Sequence, residues 1–348
     1  MTERPSSGPR AGVEAYRRAG VDLEAAARAV RLIGEVAREA SRPEVVRGVG
    51  GFAGLVSLGD GRLLAAATDG VGTKLEVARR AGRLDTVGID CVAMCANDVV
   101  CTGAEPLAFL DYLAVERLVP EEAAAVVRGV AEGCRRAGCA LLGGETAEHP
   151  GVLPPGGLDL AGFCVGLVRE EALLGPERVR EGDLLVAFPS SGLHANGFGL
   201  VRRALLDAGR KLDEWVPALG RTLGEELLEP TVIYVRPLLA LAGEGLARSA
   251  AHVTGGGVLE NLPRALPEGL GALLDRSAWA VPPVFGLVAE AAGLAPDDLF
   301  GVLNMGLGMV VVVPRGSEDR ALAVAAEAGV AARVVGEVVP ETGVRLVP

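Results

Sequence analysis

The sequence ATDGVGTK, at residues 67–74, follows a short apolar run and places one carboxylate and one amine among two glycines. Such a composition is typical of a loop that holds phosphate groups and a divalent cation. It is not a Walker loop, which requires GxxxxGK followed by Ser or Thr, because here Lys74 is followed by Leu75. If the segment binds a nucleotide, we expect Asp69 and a metal ion to make the contact. The alternative is a plain turn that leads into a helix.

Lys74 is one of only two lysines in the chain, the other being Lys211, among 34 basic residues. Arginine takes every other basic position. We therefore expect Lys74 to serve as a compact point charge rather than as general surface charge.

Length and composition limit the classes of protein to consider. A chain of 348 residues predicts two domains, each with its own core. The formal net charge of −11 and the scattered arginines disfavour a nucleic-acid or membrane surface. Without a long apolar run or an apolar leader, we expect a cytoplasmic protein with no membrane partner. Six cysteines lie between residues 91 and 164 without a CxxC pair, which favours reduced thiols over a zinc site.

Hydrophobic periodicity indicates mixed strands and helices, as in an α/β or α+β protein. Helices are predicted at residues 21–40, 87–102, 120–134, 199–208, 231–241 and 318–329. Strands are predicted at residues 53–58, 63–67, 107–115, 158–168, 183–188, 308–313 and 332–338. We expect a disordered tail at residues 1–15, an N-terminal domain at 16–169 and a C-terminal domain at 170–348.

An adjacent amide and carboxylate, Asn97 and Asp98, lie inside a largely apolar helix. Burying such groups is costly unless they are paired or coordinate a cation. Since Mg²⁺ prefers carboxylate and amide oxygens, these two residues and Asp69 form a sensible ligand set. The alternative is a capping or interhelical hydrogen-bond role.

The segment LLGGETAEHPG, at residues 141–151, combines two glycines with a carboxylate. We expect a strand to end at Gly143 and Gly144, where the backbone can approach a ligand closely. Glu145 and Thr146 follow directly, and a carboxylate there is a candidate to hold a metal or a substrate hydroxyl.

The loop SSGLHANG, at residues 190–197, offers His194 and Asn196 between glycines. A histidine in such a loop is a candidate acid, base or phosphate contact, although it is often an ordinary loop residue. We interpret the other two histidines, His149 and His252, as structural.

The sequence TGGG, at residues 254–257, precedes a predicted helix. Consecutive backbone N–H groups before a helix form an anion nest that suits a phosphate. Because a simple turn rarely needs three glycines, a binding role is favoured.

In this order and spacing, the segments resemble the phosphoribosylformylglycinamidine cyclo-ligase family of purine biosynthesis, also called aminoimidazole ribonucleotide synthetases. The resemblance covers nearly the whole chain. It includes YRRAGVD, GGFAGL, ATDGVGTK, GIDCVAMCANDVVCTGAEPLAFLDYLA, AEGCRRAGCALLGGETAEHPG, SSGLHANGFGLVR, LLEPTVIYV and HVTGGGVLENLPRALP. It implies a two-domain α/β (α+β) fold, in which the N-terminal domain pairs across a homodimer and the C-terminal domain has a mixed sheet with helices.

The implied reaction is ATP-dependent ring closure of formylglycinamidine ribonucleotide to aminoimidazole ribonucleotide, ADP and phosphate. ATP phosphorylates the formyl oxygen, the amidine nitrogen attacks the resulting iminophosphate carbon, and phosphate leaves. Phosphoryl transfer needs cations and positioned donors more than covalent participation by the protein. The implied cofactors are ATP and Mg²⁺, with K⁺ as a further option.

The resemblance also implies roles for individual residues. The metal ligands would be Asp69, Asn97, Asp98 and Glu145. His194 would polarise the formyl oxygen, move a proton or only bind, and Lys74 would meet a phosphate. The implied nucleotide and substrate contacts are Gly70, Gly72, Thr73, Asn97, Gly143, Gly144, Glu145, Thr146, Asn196, Thr254, Gly255, Gly256 and Gly257.

One departure from the family is Gly34, which stands where an N-terminal helix commonly has a lysine. Arg31 or Arg38, each about one turn away, is the candidate to replace it.

Two alternatives to the cyclo-ligase interpretation remain open. One is another member of the same ATP-binding superfamily. Length disfavours formylglycinamidine ribonucleotide synthetase, cysteine positions disfavour selenophosphate synthetase and the hydrogenase-maturation carbamoyl dehydratase, and thiamine monophosphate kinase is the fourth candidate. The other is a non-catalytic nucleotide-binding protein, which the retained carboxylates disfavour.

Overall fold

The structure is a computed structural model that describes residues 9–348, with side chains from residue 11 onward. The first part of the tail expected at residues 1–15 lies outside the described residues. From residue 9 onward the expected disorder is wrong, because the chain forms helix α1, Pro9–Arg18. Ala15 and Tyr16 are buried, and α1 packs against the 3₁₀ helix Pro296–Gly301. This apolar contact orders the segment.

The remaining α-helices of the described chain are α2 Leu23–Glu39, α3 Lys74–Ala81, α4 Val87–Val100, α5 Pro120–Ala137, α6 Phe198–Val201, α7 Leu223–Leu227, α8 Val235–Gly243, α9 Gly257–Asn261, α10 Pro283–Ala292 and α11 Glu318–Glu327. A π-helical turn, Arg202–Leu206, continues α6. No described helix is long and apolar enough to cross a membrane.

The strands are β1 Val45–Arg47, β2 Gly54–Ser57, β3 Arg62–Gly70, β4 Glu105–Val115, β5 Ala140–Glu148, β6 Leu158–Arg169, β7 Leu184–Pro189, β8 Trp215–Val216, β9 Arg221–Thr222, β10 Ser249–His252, β11 Gly271–Asp275, β12 Leu307–Val313, β13 Arg333–Val339 and β14 Gly343–Val347. Strands β8 and β9 form a small separate ribbon.

The first large sheet has the strand order β1-β2-β3-β6-β4-β5. Its neighbours are antiparallel except β4 and β5, which run parallel because α5 connects them as a crossover. Helix α4 packs on β3 and β6, and α5 packs on α4. The sheet also carries large apolar side chains that are exposed in a single chain: Leu107, Leu110, Tyr112, Leu142 and Phe163.

The second large sheet has the order β10-β12-β7-β13-β11-β14. Strands β11 and β14 are parallel, and the other pairs are antiparallel. Every residue of β12 is buried, which matches its uninterrupted apolar sequence. The predicted α/β (α+β) class with a mixed C-terminal sheet is therefore confirmed.

Most predicted elements appear with small shifts of their ends, but three differ in ways that affect the site. Strand β3 continues to Gly70, so Asp69 is a strand residue. Gly143 and Gly144 lie inside β5 and do not end it. The helix predicted at residues 231–241 begins only at Val235, because the preceding residues are hydrogen-bonded to side chains of α4.

Candidate functional site

Two carboxylates, Asp69 and Asp98, lie close together where α4 packs on β3. Burial, followed by the nearby charge of Asp98, raises the pKa of Asp69 to about 6. The N–H of Gly70 donates to Asp69 Oδ1 at 2.7 Å and partly offsets that rise. Like charges held together in a partly buried place destabilise each other unless a cation lies between them. The pair therefore fits a hard divalent cation.

His252, at the end of β10, contacts Asp98 of this pair. The ring is buried, and Nδ1 lies 2.9 Å from Asp98 Oδ1. The sequence indicates only a structural role for His252, and its place beside Asp98 is a link that sequence reasoning missed. The available signal was its position two residues before the TGGG segment.

Asn97 is buried, and both ends of its amide are hydrogen-bonded to the backbone of the segment before α8. Its Oδ1 accepts the N–H of Tyr234 at 2.8 Å, and its Nδ2 donates to the carbonyl of Val232 at 2.9 Å. These contacts correspond to the hydrogen-bond role that the sequence left open. They do not support Asn97 as a metal ligand.

Glu145 lies far from Asp69 within one chain. The register joins Asp69 to Gly162, Gly162 to Asp111, and Asp111 to Gly144, across three strand-to-strand steps. At about 4.8 Å a step, the backbones of Asp69 and Gly144 are roughly 14 Å apart. Glu145 itself is exposed on the edge strand β5, as are its neighbours on both sides.

The four expected metal ligands are therefore not brought together in a single chain. Among residues 9–348, no group of three or more His, Cys, Asp or Glu side chains has the arrangement of a metal site. Asp69 and Asp98 remain as the pair suited to Mg²⁺, whose other positions waters and phosphate oxygens can fill.

Lys74, at the first position of α3, is fully buried. Its Nζ donates to Asp90 Oδ1 at 3.0 Å, to the carbonyl of His194 at 3.0 Å and to the carbonyl of Glu229 at 2.7 Å. These acceptors occupy the three N–H groups of an ammonium. The expected phosphate contact of Lys74 is thus not found, although its use as a compact charge fits the composition argument.

Asp90 is a second residue that sequence reasoning missed. It is fully buried on α4, and its Oδ1 accepts both the N–H and the hydroxyl of Thr231, at 2.8 and 2.6 Å. A signal was present, because Asp90 lies seven residues before Asn97 and so shares its helix face. Both side chains bind the segment between Glu229 and Tyr234.

His194 adopts a positive φ of 61°, which is unusual for a residue with a side chain. Its ring is buried, and Nε2 accepts the N–H of Ser191 at 3.2 Å. The neutral ring must therefore carry its proton on Nδ1, which has no hydrogen-bond partner among the described residues. Burial lowers the pKa of His194 well below its usual value, so the ring is neutral at pH 7.

The TGGG segment forms a tight loop in front of α9. Gly256 and Gly257 have φ values of 88° and 62°, in the region that favours glycine. Asn261 Nδ2 donates to the carbonyls of Gly255 and Gly257, at 3.1 and 2.9 Å. A side chain added at Gly255 would meet Asn196 Oδ1 at 3.7 Å, so this loop and SSGLHANG adjoin.

Arg264 supplies positive charge beside the carboxylates, and it slightly lowers the pKa of Asp69 against the larger effect of burial. Its guanidinium lies 4.0 Å from the centre of the Phe52 ring and donates to the carbonyl of Gly51 at 2.8 Å. A cavity of about 210 Å³ is lined in part by these three residues.

Gly72 and Thr73 are exposed in the turn that follows β3.

Comparison with known proteins identifies the family. Residues 50–168 match the model of the AIR synthase related protein N-terminal domain, and residues 180–347 match that of its C-terminal domain. A phosphoribosylformylglycinamidine cyclo-ligase of Shouchella clausii is 52% identical over 94% of this chain and 97% of its own. The chain belongs to the phosphoribosylformylglycinamidine cyclo-ligase family.

Solved structures share the fold of this chain. The crystal structure of tt0281 from Thermus thermophilus is 28% identical, with a TM-score of 0.66 over 90% of this chain and 95% of that one. PurL of T. maritima complexed with ADP is 20% identical, with a TM-score of 0.59 over 87% of this chain and 45% of that one. The second likeness concerns the fold alone.

Proposed function

We propose that this protein closes the imidazole ring of aminoimidazole ribonucleotide from formylglycinamidine ribonucleotide, with conversion of ATP to ADP and phosphate. The observation that carries the proposal is the 52% identity, over nearly the full length of both chains, to a phosphoribosylformylglycinamidine cyclo-ligase. A cytoplasmic location stays a prediction.

In the proposed reaction, the formyl oxygen attacks the γ-phosphorus of ATP, ADP leaves, and the formamide nitrogen loses its proton to give the iminophosphate. The neighbouring amidine nitrogen then attacks the formyl carbon of the iminophosphate and loses a proton. The C–O bond breaks, and phosphate leaves with the former formyl oxygen. The protein must therefore orient two anionic substrates and stabilise charge on phosphoryl oxygens.

Asp69 and Asp98 are the residues we propose to hold Mg²⁺. When bound, the cation neutralises charge on the phosphate oxygens of ATP. The two neighbouring carboxylates suit that task, because burial and then the charge of Asp98 raise the pKa of Asp69, and a bound cation would offset both effects. Within one chain, Asn97 is hydrogen-bonded to the segment before α8 and Glu145 lies on the edge strand β5, so neither completes this pair.

His194 is proposed to donate from Nδ1–H to an oxygen of the substrate. The donor is buried and has no partner among the described residues, so a ligand acceptor would satisfy it. Since the ring is neutral, it would polarise the formyl oxygen by a hydrogen bond. It would not act as a cationic acid at pH 7.

The TGGG loop is proposed to receive a phosphate group through the backbone N–H groups of Gly255 and Gly256, because the N–H of Gly257 donates to the carbonyl of Thr254 at 3.0 Å. Glycines at positive φ allow successive N–H groups to converge, as in other anion nests. The backbone N–H groups of the exposed residues Gly72 and Thr73, in the turn after β3 that carries Asp69, are the second candidate.

We propose that the apolar face of the first sheet is covered by a second copy of this chain. Four large side chains on its central and edge strands are 38 to 68% exposed: Leu110, Tyr112, Leu142 and Phe163. A contiguous apolar patch on a sheet face is typical of an interface. A homodimer is the partner that the family resemblance implies.

The experiment that tests the function combines purified protein with formylglycinamidine ribonucleotide and Mg-ATP. Inorganic phosphate and a diazo-coupled aminoimidazole are measured in parallel. We expect equal amounts of both products, dependent on both substrates. Phosphate release that is independent of formylglycinamidine ribonucleotide would contradict the proposal.

A further inference from the structure

The buried Lys74–Asp90 pair connects the two halves of the chain. Nζ of Lys74 lies 2.9 Å from Asp90 Oδ2, and both side chains are fully buried. The other acceptors of Lys74 belong to the C-terminal half: the carbonyls of His194 and Glu229. Asp90 in turn holds Thr231 through its N–H and its hydroxyl.

The segment at residues 229–234, which contains Thr231, also contacts the loop that carries His194. Ser191 Oγ donates to the carbonyl of Pro230 at 2.7 Å, and the Ser191 N–H donates to His194 Nε2 at 3.2 Å. The ring of His194 is therefore fixed by Ser191, and its backbone carbonyl is fixed by Lys74. Both supports depend on the segment that Asp90 anchors.

A buried ion pair is weak evidence for stability, because loss of hydration offsets much of the attraction between the charges. A buried ion pair can, however, fix the geometry around it, because the ammonium and the carboxylate each make several hydrogen bonds with defined directions. Here these hydrogen bonds hold His194 at a φ of 61°, a backbone conformation that persists only where the surrounding structure enforces it.

We propose that the Lys74–Asp90 pair is a positioning device for His194, and that Lys74 makes no contact with phosphate. The pair fixes the carbonyl of His194 and the segment beneath its loop, so that the Nδ1–H donor meets the reacting substrate oxygen. The inference rests on the proposed function, since it needs a substrate for that donor.

The first test replaces the pair with apolar residues of similar size. In the double variant Lys74→Met/Asp90→Leu no charge is left buried alone, but the carbonyls of His194 and Glu229 and the polar groups of Thr231 lose their partners, so we expect a folded protein with a lowered melting temperature. The bonds to the His194 and Glu229 carbonyls are lost, so kcat should fall by about 100-fold with little change in KM for ATP. Lys211→Met, at the other lysine, is the matched control and should leave both constants unchanged.

Three outcomes of this test are informative. A double variant with normal kcat would make the pair merely structural and overturn the proposal. A raised KM for ATP with unchanged kcat would return Lys74 to a phosphate contact and also overturn it. A wild-type protein without cyclo-ligase activity would instead reject the proposed function.

The second test uses the unmodified protein and does not depend on how the variants fold. With only two lysines, ¹⁵Nζ labelling gives two ammonium signals, and Lys211→Met assigns them. We expect the Lys74 ammonium protons to exchange slowly, and its signal to stay within experimental error when a non-hydrolysable ATP analogue and Mg²⁺ bind. A large shift, or coupling to ³¹P, would overturn the proposal even if no turnover were seen.

Discussion

His252 Nδ1 lies 2.9 Å from Asp98 Oδ1, and the neighbouring Asn97 determines which atom carries the proton. Asn97 Oδ1 accepts from Tyr234, so its Nδ2 faces His252 Nε2, at 3.4 Å. Nε2 is therefore the acceptor, and Nδ1–H donates to Asp98. The hydrogen bond orients Asp98 beside Asp69 and leaves its second oxygen available for a cation.

Asp98→Ala should abolish turnover while the fold stays intact. The substitution removes one of two proposed Mg²⁺ ligands, and we expect kcat to fall by about 1,000-fold or more. Steady-state rates at limiting and saturating Mg²⁺ measure the effect, and circular dichroism checks the fold. Asp319→Ala, at an exposed carboxylate of α11, is the control. A nearly normal rate at limiting Mg²⁺ would remove Asp98 from the metal pair.

Asp69→Asn should stabilise the protein when no divalent cation is present. The pKa of Asp69 is raised from 3.8 to about 6, so its charged form destabilises the fold above that pH. The gain in the free energy of unfolding should be absent below pH 4 and develop between pH 4 and 6. Above pH 6 it should reach up to about 3 kcal/mol. Melting curves in EDTA at pH 4.5 and 8 measure this difference. An equal effect at both pH values would contradict the assignment.

His194→Ala should lower kcat more than it raises KM. The proposed donor acts on the reacting oxygen, so its contribution appears mainly in the transition state. Initial rates over a range of substrate concentrations separate the two constants. Asn196→Ala, two residues along the same loop, provides the comparison for a residue expected only to bind. An effect of His194→Ala confined to KM would assign it to binding.

Phe163→Glu should convert the proposed dimer to a monomer. Phe163 is 42% exposed on the open sheet face, and a charge there would be buried without a partner in the dimer. Sedimentation velocity at micromolar concentration measures the change. Trp215→Glu, at another exposed aromatic on β8, should leave the assembly unchanged. A wild-type monomer would contradict the proposed interface directly.

Gly257→Ala should disrupt the TGGG loop. A Cβ atom at Gly257 would collide with the backbone carbonyls of Phe300 and Leu303, and the positive φ adds strain. We expect a loss of about 2 kcal/mol or more in the free energy of unfolding, measured by urea denaturation. Gly255→Ala is the matched control, because its Cβ meets nothing closer than 3.7 Å. Equal stability of the two variants would contradict the structural account.

The sequence predicted the secondary structure and the carboxylate pair better than it predicted the partners of each side chain. Asp69 and Asp98 carried a local signal, because carboxylates next to apolar segments need a reason to be buried. The partners of Lys74 are 120 and 155 residues away in sequence, so no local pattern reveals them. The distance between Glu145 and Asp69 depends likewise on strand order, which no local pattern gives, and the role of Glu145 as a metal ligand stays a prediction.

The most direct test of the central claim follows the formyl oxygen of the substrate. Formylglycinamidine ribonucleotide labelled with ¹⁸O at the formyl group is converted with Mg-ATP, and the released phosphate is analysed by ³¹P NMR or mass spectrometry. The account predicts one ¹⁸O atom in each phosphate, together with an equal amount of aminoimidazole ribonucleotide. Unlabelled phosphate, or ring closure that leaves the label in water, would contradict it.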